Sequence, residues 1–202
     1  MATLNILIGS DSFRKMRENN CYYVDKTGFL EEMLASTPPD VSLITRPRRF
    51  GKTLIMSMLQ EFFDIRKDSR QIFEGLAISK NTRLCDAWMN KYPVVFLSLK
   101  NVEGADFQQA LNQYKERIRV FLSSQKFLSE SLRVYESDRK ILSELGSGHG
   151  DYSMLMNSLE TICRALEAHY GKQVILLIDE YDVPINHAEQ NGYYKEMIGF
   201  MR

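Results

Sequence analysis

Residues 42–63 read SLITRPRRFGKTLIMSMLQEFF, and three kinds of local chemistry follow one another inside them. Ser42-Leu43-Ile44-Thr45 is a short apolar run that suits a buried strand. Arg46-Pro47-Arg48-Arg49-Phe50 is a basic loop, closed by Gly51-Lys52-Thr53. From Lys52 onward, Leu54, Ile55, Met58, Leu59, Phe62 and Phe63 recur at the spacing that lines one side of a helix. Strand, basic loop with Gly-Lys-Thr and amphipathic helix is the order that a phosphate-binding loop requires.

Clustered phosphate charge is held by unobstructed backbone N–H groups, a helix N-terminus and a cation. Gly51 has no side chain to block that approach. Lys52 reaches β- and γ-phosphates as a mobile point charge, and Thr53 offers a hydroxyl to magnesium. The expected binding segment is Arg48, Arg49, Phe50, Gly51, Lys52, Thr53 and Leu54. The match to GxxxxGK[ST] is incomplete, because Arg46 holds the first glycine position. The arginines admit two readings: a bidentate fork on phosphate oxygens, favouring Arg48 or Arg49, or a solvated loop that pairs with acids elsewhere.

A second stretch complements the first. Val174-Ile175-Leu176-Leu177-Ile178 reads as a central strand covered on both faces. Asp179-Glu180 follows at once, and Pro184 closes the next turn. Asp179 is the expected magnesium carboxylate together with Thr53, and Glu180 the base that polarises water, with Lys52 as its catalytic partner.

The rest of the chain alternates helices and strands, which argues a parallel α/β sheet. Short helices are expected over 12–20, from Asp25 or Thr27 through Leu34, and around Leu84 to Met89. Thr37-Pro38-Pro39-Asp40 reads as a turn and Val94 to Leu99 as a strand. A long helix carries Phe107, Ala110, Leu111, Tyr114, Ile118, Phe121 and Leu122 on one face. Residues 125–145 look helical with weaker periodicity, and Gly146-Ser147-Gly148-His149-Gly150 reads as a flexible loop. Another helix runs through Leu166 with Gly171 at its C-terminal end, and a last one begins after Gly192. Tyr22 and Tyr23 suit either the core, the better fit, or stacking on adenine.

The formal net charge is 0, so no global basic field advertises nucleic acid, although a local patch stays open. No apolar run reaches the ~20 residues that span a membrane. Cys21, Cys85 and Cys163 lie far apart, as reduced, packed thiols of a cytoplasmic protein do. His149, His169 and His187 lack ligand spacing. Asp64 and Asp68 have no strand-borne Glu-x-Lys partner of a nuclease and read as a solvated helix end.

Five stretches, in order, carry a family resemblance: Tyr22-Tyr23-Val24-Asp25-Lys26-Thr27, Thr45 to Thr53, Phe73-Glu74-Gly75-Leu76, Tyr92 to Ser98, and Leu177 to Pro184. Together they resemble the prokaryotic AAA-ATPase-like domain family, in which arginine at the position of Arg46 is usual. The resemblance implies a P-loop core of the additional-strand class, with Glu180 matching the catalytic glutamate after the metal-binding aspartate. It also implies ATP as ligand, magnesium as cofactor, a prokaryotic source, and relatives that continue into a C-terminal PD-(D/E)XK nuclease-like domain.

The expected fold is therefore an α/β, three-layer P-loop NTPase with a mostly parallel sheet, truncated after the strand that ends at Asp179. Residues 1–40 form a helical segment flanking the nucleotide, and 41–202 the core, with a helical insertion at about 101–170. The expected function is hydrolysis of Mg-ATP coupled to conformational change in partner or missing C-terminal domains. Two alternatives stand beside it: a nucleotide switch with little turnover, and a scaffold without nucleotide that mediates protein or DNA contacts. An absent sensor strand after Arg202 would slow hydrolysis or drive self-association.

Overall fold

The computed structural model describes residues 9, 11–34, 41–45 and 50–202. Two compact units, Met1–Val94 and Val95–Arg202, divide the chain.

In the first unit, the Ser12 side chain accepts from the Lys15 N–H and starts α1 (Phe13–Glu18). Helix α2 spans Gly28–Leu34 and α3 Lys52–Phe63. Helix α4 (Arg70–Phe73), a 3-10 turn (Ala77–Lys80) and α5 (Thr82–Trp88) complete the set. The apolar stripe of α3 does what its spacing predicts: Ile55, Met58, Leu59, Phe62 and Phe63 are buried. Phe13 and Phe62 both pack on Phe73, with ring centroids 4.8 and 5.5 Å apart. Each such ring contributes roughly 1.5–3 kcal/mol of burial. Tyr23 joins this core edge-on to Phe13, whereas Tyr22 is exposed.

Two expectations fail in this unit. Residues 41–45 form no strand, and Val41 and Leu43 are 85% and 66% exposed. A parallel strand is buried only when neighbours pair both its edges and helices cover its faces. Among the described residues none pairs with 41–45, so the apolar run has nothing to bury against. Asp64 is not a solvated helix end: it is buried and accepts a fork from Arg66 Nε and Nη2 at 2.8 and 2.7 Å. Arg66 also donates to the Val94 carbonyl, and Asp64 bridges Tyr92 in parallel fashion. Asp68 is exposed. The turn at 37–40 lies outside the described residues.

In the second unit, β1 (Val94–Ser98, entering from the first unit) pairs with β2 (Ile175–Asp179) in a small parallel sheet. The class is α/β. Between the strands run α6 (Phe107–Ser123), α7 (Phe127–Glu130), α8 (Glu136–Ser147), α9 (Tyr152–Met156) and α10 (Ser158–Tyr170). After β2 come α11 (Val183–Asn191) and α12 (Tyr194–Met201). The core joins Leu97, Ile118, Leu145, Ile162, Leu166 and Met197. Buried Asp138 is forked by Arg164 at 2.8 and 2.9 Å, which fastens α8 to α10.

Gly171 ends α10 in the left-handed conformation, φ 64°, as its position predicted. The expected loop at 146–150 begins later than the glycines suggested. Gly146 and Ser147 close α8, and Gly148 at φ 80° caps it while the His149 N–H bonds to the Glu144 carbonyl. Pro184 does not merely close a turn; it sits in the first turn of α11, where a missing N–H costs nothing. Strand β2 is not covered on both faces: Leu177 and Asp179 are buried, Leu176 is 40% exposed. Side chains alternate across a strand, so one face of the run is packed and the other is open.

Candidate functional site

Gly51 stands at φ 77°, ψ 29°, immediately before α3. That left-handed backbone is strained for any residue with a Cβ, which explains glycine here. Its carbonyl accepts the first helical bond, from Ile55 N at 3.0 Å. No side chain caps α3, and its first turn carries no acid. Among the described residues the opening N–H groups of α3, from Lys52, Thr53 and Leu54, thus have no side-chain cap, and no acid in the helix's own first turn offsets its positive end. Lys52, Thr53 and Leu54 are half-buried and Phe50 is exposed. Arg46, Arg48 and Arg49 lie outside the described residues.

The segment that precedes the loop in sequence is firmly anchored. The Asp25 carboxylate accepts from Thr27 N at 2.8 Å, from the Thr27 hydroxyl at 2.6 Å and from Ala77 N at 2.7 Å. Thr27 is buried, and its hydroxyl accepts from Ile78 N at 3.2 Å. Burial opposes the charge on Asp25, but these hydrogen bonds outweigh it and hold the carboxyl below its usual range. Between the two anchors, Lys26 Nζ reaches the Phe50 carbonyl at 3.4 Å.

In the second unit, Asp179 ends β2, and its carbonyl accepts from Leu99 N at 2.9 Å. It is 4% exposed, and among the described residues its carboxylate has no hydrogen-bond or ion-pair partner. Hard oxygens from one such carboxylate and a threonine hydroxyl are the donors magnesium takes. Glu180, half-buried, holds φ 58°, one of three non-glycine residues with positive φ among those described. Such a backbone costs about 1–2 kcal/mol and recurs at functional positions. The Glu180 carbonyl accepts from Val183 N at 3.1 Å, so the bend leads directly into α11. The carboxyl end of a parallel strand is where open α/β sheets present ligand-binding groups. Gly51-Lys52-Thr53 belong to the first unit, Asp179-Glu180 to the second.

Sequence reasoning missed Lys26 and the backbone of Glu180. The first carries no motif of its own apart from the family resemblance of its stretch. The second is a dihedral that no residue pattern announces, since glutamate rarely adopts it.

No helix among the described residues is long and apolar enough to cross a membrane. The α/β architecture, with an uncapped helix after a left-handed glycine, defines the class within which relatives are sought. The AAA-ATPase_like family, described as "Predicted AAA-ATPase", matches residues 7–202, and the chain belongs to it. The chain is also similar to an "Uncharacterized protein in vnfD 5'region" of Azotobacter chroococcum mcd 1, 27% identical over 186 residues. That match covers 92% of this chain and 30% of the relative, so the chain spans less than a third of the relative's length. No solved structure matches it.

Proposed function

We propose that the chain binds Mg-ATP at Gly51-Lys52-Thr53 and hydrolyses it with Asp179-Glu180, within a three-layer P-loop fold. The observation that carries the reading is Asp179: a carboxylate 4% exposed, at the carboxyl end of β2, without a partner among the described residues. The uncapped start of α3 behind a left-handed Gly51 supports it from the other half of the motif. Membership of a predicted AAA-ATPase family supports nucleotide as the ligand.

In this reading the first N–H groups of α3 and the Lys52 ammonium bind phosphate oxygens. Arg48 or Arg49 adds a fork to the same oxygens. Thr53 and Asp179 hold magnesium, which when bound neutralises charge developing on the phosphoryl oxygens. Glu180 orients the attacking water and accepts its proton. Among the described residues Glu180 makes no ion pair, which leaves its carboxylate available for this role. In this reading the conformational change passes to a partner, such as a second copy of the chain or a nuclease-like domain.

The test uses Lys52→Ala and Glu180→Gln on the full chain. Mg-ATP binding is expected to be lost in the first. In the second, binding is expected to persist while turnover falls by about 10²–10⁴. Unchanged binding in Lys52→Ala would remove the site. Unchanged turnover in Glu180→Gln, with hydrolysis intact, would remove the role given to Glu180. Binding without turnover in the native chain would favour a nucleotide switch.

A further inference from the structure

We propose that Lys26 is a second phosphate-binding lysine of the nucleotide site, a role that rests on reading Gly51-Lys52-Thr53 as the phosphate loop. Its ammonium lies 3.4 Å from the Phe50 carbonyl and 3.5 Å from where a Cβ on Gly51 would stand. It therefore faces the backbone bend that opens α3.

Three observations separate Lys26 from an ordinary surface lysine. First, its backbone is fixed. Asp25 and Thr27, its neighbours on either side, bond to the N–H groups of Ala77 and Ile78, more than fifty positions away. The anchoring sets where the Lys26 side chain starts, within reach of the Phe50–Gly51 backbone. Second, the ammonium is weakly held. Lys26 is half-buried, and among the described residues it makes no ion pair; its single acceptor is a carbonyl at a distance where hydrogen bonds are weak. Third, the bend that Lys26 faces is itself positive. The start of α3 carries the positive end of the helix, Lys52 is its first residue, and its first turn contains no acid. A second ammonium beside that end adds to the attraction for an anion at the bend, with the carboxylates of Asp25 and Glu32 lining the other part of the cleft.

The anion is a phosphate chain, because the ammonium and the opening N–H groups of α3 address the same bend. Lys26 also lines an open cleft of ≈ 290 Å³ with the acids Asp25 and Glu32 and with Gly28, Phe29 and Ile55, so a ligand reaches it from solvent. When the nucleotide enters, the ammonium exchanges the Phe50 carbonyl for phosphate oxygens. An ammonium on phosphate is a stronger, charge-assisted bond than one on a neutral carbonyl.

The experiment titrates a fluorescent ATP analogue, with magnesium, into native chain, Lys26→Met, Lys26→Arg and Lys52→Ala. Unlabelled ATP and adenosine compete, and ligand-free melting is recorded for each variant. Lys26→Met is expected to weaken ATP binding about tenfold or more, with partial recovery in Lys26→Arg. Competition by adenosine and ligand-free melting should stay at native values. Native ATP affinity in Lys26→Met, with binding lost in Lys52→Ala, would overturn the role of Lys26 and leave the loop intact. An equal loss for ATP and adenosine, or a matching drop in ligand-free melting, would make Lys26 a strut and overturn the proposal. Failure of the native chain to bind, or native binding in Lys52→Ala, would overturn both readings together.

Discussion

Two buried carboxylates, one in each unit, meet opposite treatment. Glu61, on α3, is 4% exposed and surrounded by cations. Arg14 donates to it from Nε and Nη2 at 3.0 and 2.7 Å, Lys67 forms a short ion pair, and Ser69 donates at 3.1 Å. Asp179, equally buried at the end of β2, has no partner among the described residues. The difference teaches that Glu61 is tied into the fold by its partners, whereas among the described residues nothing ties Asp179, which is what the proposed cation role needs.

Removing Glu61 should therefore hurt the fold most. Glu61→Gln leaves Arg14 and Lys67 facing a neutral amide. Both cations keep some solvent, so the loss is expected to be about 2 kcal/mol, below that of a fully buried pair. Urea unfolding measures it, and a loss near zero would break the comparison.

The pH dependence sharpens it. Burial alone would raise the Glu61 carboxyl, but the hydrogen bonds from Arg14 and Lys67 outweigh burial and hold it below its ordinary 4.5. A depressed folded value contributes stability that is fully present above pH 4.5 and is lost as pH falls through the lower, folded value. Native chain should thus lose stability below pH 4.5 more steeply than Glu61→Gln. Equal slopes in unfolding between pH 6 and pH 3 would contradict this.

At Glu180 the expected effect is smaller and opposite in sign. Glu180→Gly relieves the left-handed backbone and should stabilise the ligand-free chain by about 1 kcal/mol while removing hydrolysis. A destabilised variant would show that the side chain, and not the bend, is what the fold needs. The smallest effect belongs to Asp179. Asp179→Asn removes a charge that nothing described compensates, so ligand-free stability should not fall by more than about 0.5 kcal/mol. Thermal unfolding without and with Mg-ATP checks this, and only the protection by Mg-ATP should disappear.

The sequence made α3 legible because six apolar residues repeat at a helical interval and five of them bury as one stripe. Gly171 and the acids after Ile178 were legible for similar reasons: local backbone needs and a strand end leave residue-level traces. The run at 42–45 misled because apolarity marks a strand only when a sheet exists to receive it. Asp64 misled because its partner Arg66 and its bridge to Tyr92 arise from tertiary structure, not from neighbours in sequence alone. Lys26 was invisible as chemistry since only the anchoring of Asp25 and Thr27 to Ala77 and Ile78 brings it to the loop.

The central claim is that Thr53 and Asp179 act on one hydrated cation beside the nucleotide. A double-mutant cycle of Thr53→Ala and Asp179→Asn, read as Mg-ATP affinity, tests it most directly. The account predicts that the double variant loses little more than the worse single variant, a coupling of about 1 kcal/mol or more. Losses that simply add would mean the two residues serve separate sites and would contradict the account.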